Sequence, residues 1–381
     1  MDGAIAWLRG QRAAMEERLG ALVEASSHTL DKAGVDAAGR VFEAMVPLPC
    51  RRVESERYGD HLLFEAARAP GEGGVVLVGH HDTVFPKEVF SGWRVEGDLG
   101  FGPGALDMKG GLVVIAFALQ ALGRAGLLDR CPLALAVVSD EEVGSPESAA
   151  HLKALSRGAD CALVFEAGRL GDRIITQRKG TGAVTVTATG RAAHAGNAHF
   201  EGASAIRAMA RFIEGAESLT DYARGTTVNV GRVEGGIGKN TVPERCVAEV
   251  DLRFTSGAEA VALMGRLGEL AASSAIPGTR LALEGGVARN PLSRTDLSAA
   301  LCEAYNRCQE DAGLSTGEAG LEGGGSDAST TADAGVPSID GLGPRGRGFH
   351  TRDERVELAS LVPKAEALLR FLASRVVPNG G

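Results

Sequence analysis

Residues 75–85 read VVLVGHHDTVF, an apolar, β-branched run that ends in two histidines and an aspartate. A continuous apolar run of this length predicts a strand buried on both faces, as in a parallel sheet covered by helices. Side chains alternate along a strand, so His80 and Asp82 share one face and His81 turns to the other. A metal-bound imidazole commonly donates its second N–H to a carboxylate, which gives Asp82 a reason to stand beside His80. The competing reading is a polar loop that merely ends a buried strand. Further acidic or imidazole residues elsewhere in the chain have to decide between the two.

Working outward, the same texture continues to residue 167. The helical pattern KGGLVVIAFALQALGRAG is followed by the strand PLALAVVSDEE, a helix near 146–156 and the strand CALVFEAG. Apolar strands separated by helices predict an α/β domain with a mostly parallel sheet covered by helices. Ligands to such sheets gather beyond the carboxyl ends of the strands. His80 and Asp82 end one strand, Asp140, Glu141 and Glu142 the next, and Glu166 a third. Charge is thus delivered to one edge from three separate strands.

From about residue 181 the pattern changes. TGAVTVTATG, a helix near 201–219, TTVNVGRVEGG, CVAEVDLRF, a helix near 257–274 and TRLALEGGV spell β-α-β-β-α-β, the order of a split βαβ or ferredoxin-like unit. After about 290 come a helix at 294–312, the glycine-rich GLEGGGSDAST, a strand around VPSIDGLG, FHTRDE and a closing helix near 357–375. We read residues 1–179 and 291–381 as one discontinuous metal-binding domain and 180–290 as a domain inserted into it. A separate third domain is the alternative, and the low apolar content of the tail argues against it.

A chain of 381 residues exceeds what one hydrophobic core usually serves, in keeping with two domains. A net charge of -9 without a basic stripe argues against a nucleic-acid partner. The opening MDGAIAWLRGQRAAMEERLGALVEAS lacks the pattern of a secretory signal and reads as an amphipathic helix. No run of about 18 apolar residues suggests a membrane span. Cys50, Cys131, Cys161, Cys246, Cys302 and Cys308 form no C-x-x-C, so a reduced, cytoplasmic setting is expected. The final PNGG is expected to fray.

Asp107 lies in GFGPGALDMKGG, ahead of a helix. This is no phosphate loop, because Lys109 is followed by Gly110 instead of Ser or Thr. Asp107 either caps the helix or bridges two metals. Glu141 and Glu142 are adjacent carboxylates that repel unless a cation neutralises them, the alternative being a solvated acidic turn. Glu166, and His350 in GRGFHTRDE, are ambiguous taken singly. Together, two histidines and three carboxylates suit a dinuclear zinc centre with one bridging aspartate and a shared water.

GHHDTV, GPGALDMKGG, SDEEVGS, FEAG, GRAAHAG, GGGSDA and FHTRDE, in this order, resemble the dinuclear zinc amidohydrolases and peptidases. That family includes glutamate carboxypeptidase, aminoacylase, acetylornithine deacetylase and succinyl-diaminopimelate desuccinylase, and the likeness is strongest to the glutamate carboxypeptidase branch. The resemblance implies two Zn²⁺, with Co²⁺ or Mn²⁺ as substitutes. His80 and Glu166 would hold one ion, Glu142 and His350 the other, and Asp107 would bridge them. Glu141 resembles the general base and Asp82 the group that orients His80, while His81 is not a ligand. The inserted domain resembles a lid and homodimerisation domain, whose His194 reaches a partner's site to stabilise the oxyanion. Asn240 in GKNTVP and Arg253 in VDLRF resemble substrate contacts, and Gly324, Gly325 and Ser326 have two readings, backbone donors to a carboxylate or a flexible turn. The implied reaction is hydrolysis of an amide beside a free carboxylate, in an N-acyl amino acid or at a C-terminal peptide bond. A catalytically silent metal-binding protein is the rival class. Where the family often places proline and an acidic residue after HAG, this chain has HAGNAHFEG, which bears on substrate preference.

Overall fold

In the computed structural model, residues 1–66 and 73–376 are described, and the terminal PNGG lies outside them. Contacts divide the chain into two units, one formed by Met1–Gln177, Arg294–Leu321 and the chain from Ser326 onward, the other by Arg178–Ser293 and Glu322–Gly325.

The first unit is built on a six-stranded sheet. Its order is Cys50–Val53, His61–Ala66, Leu133–Val138, Val75–His80, Cys161–Val164 and Ser338–Ile339. Val75–His80 runs parallel to both of its neighbours, and Ser338–Ile339 runs parallel to Cys161–Val164. The edge formed by the first two strands is antiparallel. Those two strands, and the helix Lys32–Glu43 before them, are additions to the elements read from the sequence.

Val75–His80 is buried along its whole length, as an apolar strand with helices on both faces must be. The helix Gly110–Arg124 is apolar on nearly every face because it is the centre of the core, packed on Leu361–Ala373 and Asp2–Arg9. With its preceding turn it is long and apolar enough to cross a membrane, yet 89% of that window is buried inside the unit. A Cβ at Gly111 would collide with the carbonyl of Phe165, so glycine permits this helix to approach the chain just before Glu166. The opening amphipathic pattern is two helices, Asp2–Arg9 and Arg12–Glu24, broken where Gly10 ends the first.

A second, four-stranded sheet of this unit has the order Gly346–Arg347, Arg355–Glu357, Leu99–Phe101 and Arg94–Glu96. It matters for the site because His350 lies in the loop that joins its first two strands.

The second unit has a four-stranded antiparallel sheet, ordered Thr227–Gly235, Arg245–Phe254, Gly180–Thr189 and Arg280–Arg289. Numbered along the chain, the strands lie 2-3-1-4, the ferredoxin-like arrangement. Val184, Val186, Ala248, Val250 and Leu252 alternate inward against Met209 and Phe212 of Ala205–Glu217 and Leu263 and Leu267 of Gly257–Ser274.

Candidate metal centre

Strand register assembles the site. His80 lies opposite Val138, and Val78 opposite Val164, so the chain segments carrying Glu141, Glu142 and Glu166 leave the sheet beside His80. The chain passes from the His80 strand to a neighbour on one side and then to one on the other, which opens a crevice at this strand's carboxyl end.

Two groups of donors result, each with ligand atoms within 4.8 Å of one another: His80, Asp107 and Glu166, and Asp107, Glu142 and His350. His80 Nε2 is 3.3 Å from Asp107 Oδ1 and 3.6 Å from Glu166 Oε1. His350 Nε2 is 3.1 Å from Glu142 Oε2 and 3.5 Å from Asp107 Oδ2. Asp107 is therefore the one residue common to both groups, with a different oxygen toward each histidine. It does not cap the following helix.

Asp82 organises what surrounds these groups. His80 Nδ1 faces the Asp82 carbonyl at 3.0 Å and its carboxylate at 3.3 Å. Both are acceptors, so Nδ1 carries the hydrogen and Nε2 keeps a lone pair for a metal. The same carboxylate accepts from the Thr29 hydroxyl at 2.8 Å and from the backbone N–H groups of Glu141 and Glu142 at 3.3 and 3.2 Å. One buried anion thus holds a histidine in its tautomer and anchors the turn Glu141–Val143. Asp82→Asn puts an amide N–H among these donors, and we expect zinc affinity to fall roughly 10-fold to 100-fold, as for other partners of metal ligands. Titration of zinc into metal-free protein checks this, and unchanged affinity would remove Asp82 from that role.

His81 faces away from both groups. It is fully buried, its ring nitrogens have no hydrogen-bond partner, and burial pushes its pKa down to about 3. A neutral imidazole packed beneath the strand is the result.

The clustered groups do not keep ordinary protonation. Burial, reinforced by the charge of Asp107, pushes Glu142 up to about 8 and Glu166 well above the carboxylate range. Burial acts the same way on Asp107, but hydrogen bonds with His350 and His80 outweigh it and hold Asp107 well below that range. Hydrogen bonds to Asp107 and Glu142 raise His350 to about 10. For His80, burial is outweighed by the charge of Glu166 and the bonds to Asp107 and Asp82, and its pKa rises. Protons here do what divalent cations would do in their place, which is to hold crowded carboxylates together. Mixed imidazole and carboxylate donors fit zinc-like cations.

Two supporting residues escaped the sequence reading. Thr29 carries no signal of its own. Glu354 lies in FHTRDE and is buried, accepting from the backbone of the Asp107 loop, while burial pushes its carboxyl up to about 7.

In the second unit, His194 pairs with Thr241 across a short ladder next to Asn240, whose carbonyl accepts from Ala195. Arg253 is committed to its own chain: Nε and Nη2 hold the two oxygens of Asp251 at 2.9 and 3.0 Å. The fork expected for a substrate carboxylate is therefore occupied by a neighbour two residues away. The Gly324 carbonyl accepts from Arg178, a donor on the side chain of another residue in this unit. The buried Ser326 hydroxyl donates to Asp340 at 2.6 Å and caps Asp327–Asp333. Gly325 belongs with Gly324 to the second unit, and Ser326 to the first.

A mostly parallel sheet with two acidic-imidazole groups sharing one aspartate at its carboxyl edge, in a chain that also carries a ferredoxin-like unit, has the make-up of a metal-dependent hydrolase. The chain belongs to peptidase family M20/M25/M40, whose model matches residues 76–374. It is 28% identical over 381 residues to carboxypeptidase G2 of Pseudomonas sp. (strain RS-16), a match covering 97% of this chain and 90% of that protein. It is 27% identical over 373 residues to succinyl-diaminopimelate desuccinylase of Marinobacter nauticus, covering 92% and 96% respectively. The crystal structure of a tripeptidase from Staphylococcus aureus superposes with a TM-score of 0.80 at 21% identity, over 96% of this chain and 98% of that one.

Proposed function

We propose that this chain hydrolyses an amide bond next to a free carboxylate, with His80, Asp107 and Glu166 holding one zinc ion and Asp107, Glu142 and His350 the other. The observation that carries the proposal is the pair of donor groups joined through Asp107, with Glu141 in the same turn as Glu142. Cations bound there would supply Lewis acidity to the attacking water and the scissile carbonyl. Co²⁺ or Mn²⁺ would substitute, since the donors are nitrogen and oxygen. Glu141 takes a proton from the attacking water and delivers it to the leaving amine. Asp82 keeps His80 in its metal-binding tautomer. The second unit serves as lid and dimerisation domain of a homodimer, and the substrate carboxylate is assigned to Asn240, the backbone at Gly324, Gly325 and Ser326, and Arg253, whose fork would exchange Asp251 for it.

The names of the relatives support an acyl group on one side of the bond and an amino acid on the other, as carboxypeptidase and desuccinylase share that product chemistry. Six unpaired cysteines favour a reducing, cytoplasmic setting. The test is a panel of N-acyl amino acids and short peptides, each as free acid and methyl ester, with zinc, cobalt or manganese added. A carboxylate recognised by a charged hydrogen bond is worth about 1.5–3 kcal/mol, so free acids should exceed their esters by roughly 10-fold to 100-fold in kcat/KM. Replacing Arg253 by Met should erase much of that preference. Equal turnover of acid and ester by the unmodified enzyme would overturn carboxylate recognition, and a preference for N-acyl amino acids over peptides would select the aminoacylase form.

A further inference from the structure

We propose that Glu354 is the positioning residue for the carboxylate shared by the two metal sites, fixing the Asp107 loop from the same hairpin that carries His350. The inference rests on the dinuclear reading above and extends it to a residue outside both donor groups.

Glu354 Oε1 accepts from the backbone N–H groups of Leu106 at 2.9 Å and Asp107 at 3.0 Å, and Oε2 accepts from Gly104 at 3.0 Å. The Glu354 carbonyl accepts from Gly102 at 3.4 Å. Every one of these partners is a donor, and a carboxylate offers acceptors at both ends of its side chain. Gly104 is in the left-handed region, at φ 74°, which turns the loop so that its N–H groups converge on one point. Glu354 is 2% exposed, so water does not compete for these bonds.

Its position in the small sheet explains the coupling. Arg347 pairs with Arg355, and Arg355 with Phe101, so the strand that begins after Glu354 is the inner arm of the His350 hairpin and lies against the strand leading to Asp107. His350 is itself left-handed, at φ 61°, a conformation that persists in a residue with a Cβ only where its surroundings enforce it. His350 and Glu354 are thus two ends of one short loop. One end faces the second oxygen of Asp107 and the other holds that residue's backbone. The distance between bridge and histidine is set within a single loop.

The experiment uses Glu354→Gln and Glu354→Asp. Glutamine keeps the size but turns an NH₂ toward N–H donors, whereas aspartate keeps the charge and both acceptors on a shorter stem. Calorimetric titration of Zn²⁺ into metal-free protein should show two equivalents for wild type and a roughly 10-fold to 100-fold weaker affinity for Glu354→Gln. Glu354→Asp should recover part of that loss, an order that tracks acceptors and not volume. In the dicobalt proteins, magnetic resonance should report weaker coupling between the ions in Glu354→Gln than in wild type, because the bridge is displaced. If Glu354→Gln does not fold, Glu354→Asp alone must still show weakened affinity and coupling relative to wild type. Folded variants that bind two ions with wild-type affinity and coupling overturn this inference while leaving the dinuclear centre standing. Wild-type protein that takes up a single ion overturns the dinuclear reading, and this inference with it.

Discussion

Glu141→Gln is expected to retain two metal ions and to lose turnover by about 10²-fold to 10⁴-fold, the range for a group that moves a proton in the transition state. The substitution keeps the side chain's shape and leaves intact the backbone N–H that Glu141 gives to Asp82. Glu142→Gln, one residue along, should fail differently. Its carboxylate faces His350 Nε2 at 3.1 Å and belongs to the donor group that includes Asp107, so the amide removes a ligand charge. Metal content should fall toward one equivalent, and activity with it. Metal analysis beside single-turnover kinetics separates the two cases. If Glu141→Gln lost metal and Glu142→Gln kept it, the two roles would be exchanged.

That these carboxylates gather at one edge was accessible from the sequence because it depends on strand ends, whereas the division of roles between the two neighbours is what the family resemblance implies. An apolar strand followed by two carboxylates, another followed by H-x-D and a third followed by glutamate state where the sheet stops and the polar edge begins. Parallel register then does the rest, since residues just past the ends of adjacent parallel strands lie side by side. The direction of His81 was legible on the same ground of side-chain alternation. The contributions of Thr29 and Glu354 were not legible in this way. Thr29 meets Asp82 across 53 positions of sequence and Glu354 meets Asp107 across 247. Their bonds go to a side chain oxygen or to backbone N–H groups, which leave no periodic trace. The strands Cys50–Val53 and His61–Ala66 escaped because the outer one is partly exposed and carries Arg51 and Arg52, so no apolar run announces it. The engagement of Arg253 by Asp251 shows the limit of reading one residue at a time: residues two apart on a strand share a face, and the fork found its nearest carboxylate there.

The proposal that His194 serves a partner's site predicts a loss that can be repaired by mixing. His194 Nδ1 accepts from the backbone N–H groups of Gly196 and Asn197, both at 3.1 Å. A ring nitrogen with two donors facing it holds no hydrogen, so the neutral imidazole carries its hydrogen on Nε2. The loop thus presents an exposed imidazole as a donor, which is the requirement for stabilising a developing oxyanion. Such a donor acts mainly in the transition state, so His194→Ala should lower turnover by roughly 10²-fold to 10³-fold at unchanged metal content. Substrate binding should change little. Mixing His194→Ala with Glu141→Ala under conditions that exchange subunits then tests the dimer directly. If the histidine acts on the partner, each mixed dimer has one site with Glu141 from the first variant and His194 from the second. With random exchange half of the dimers are mixed and each has one working site of two, so activity should approach about a quarter of wild type by two-fold symmetry. Verified exchange without recovery would place His194 at its own subunit's site or outside catalysis. Recovery would make the second unit the donor of a catalytic group to its partner's site.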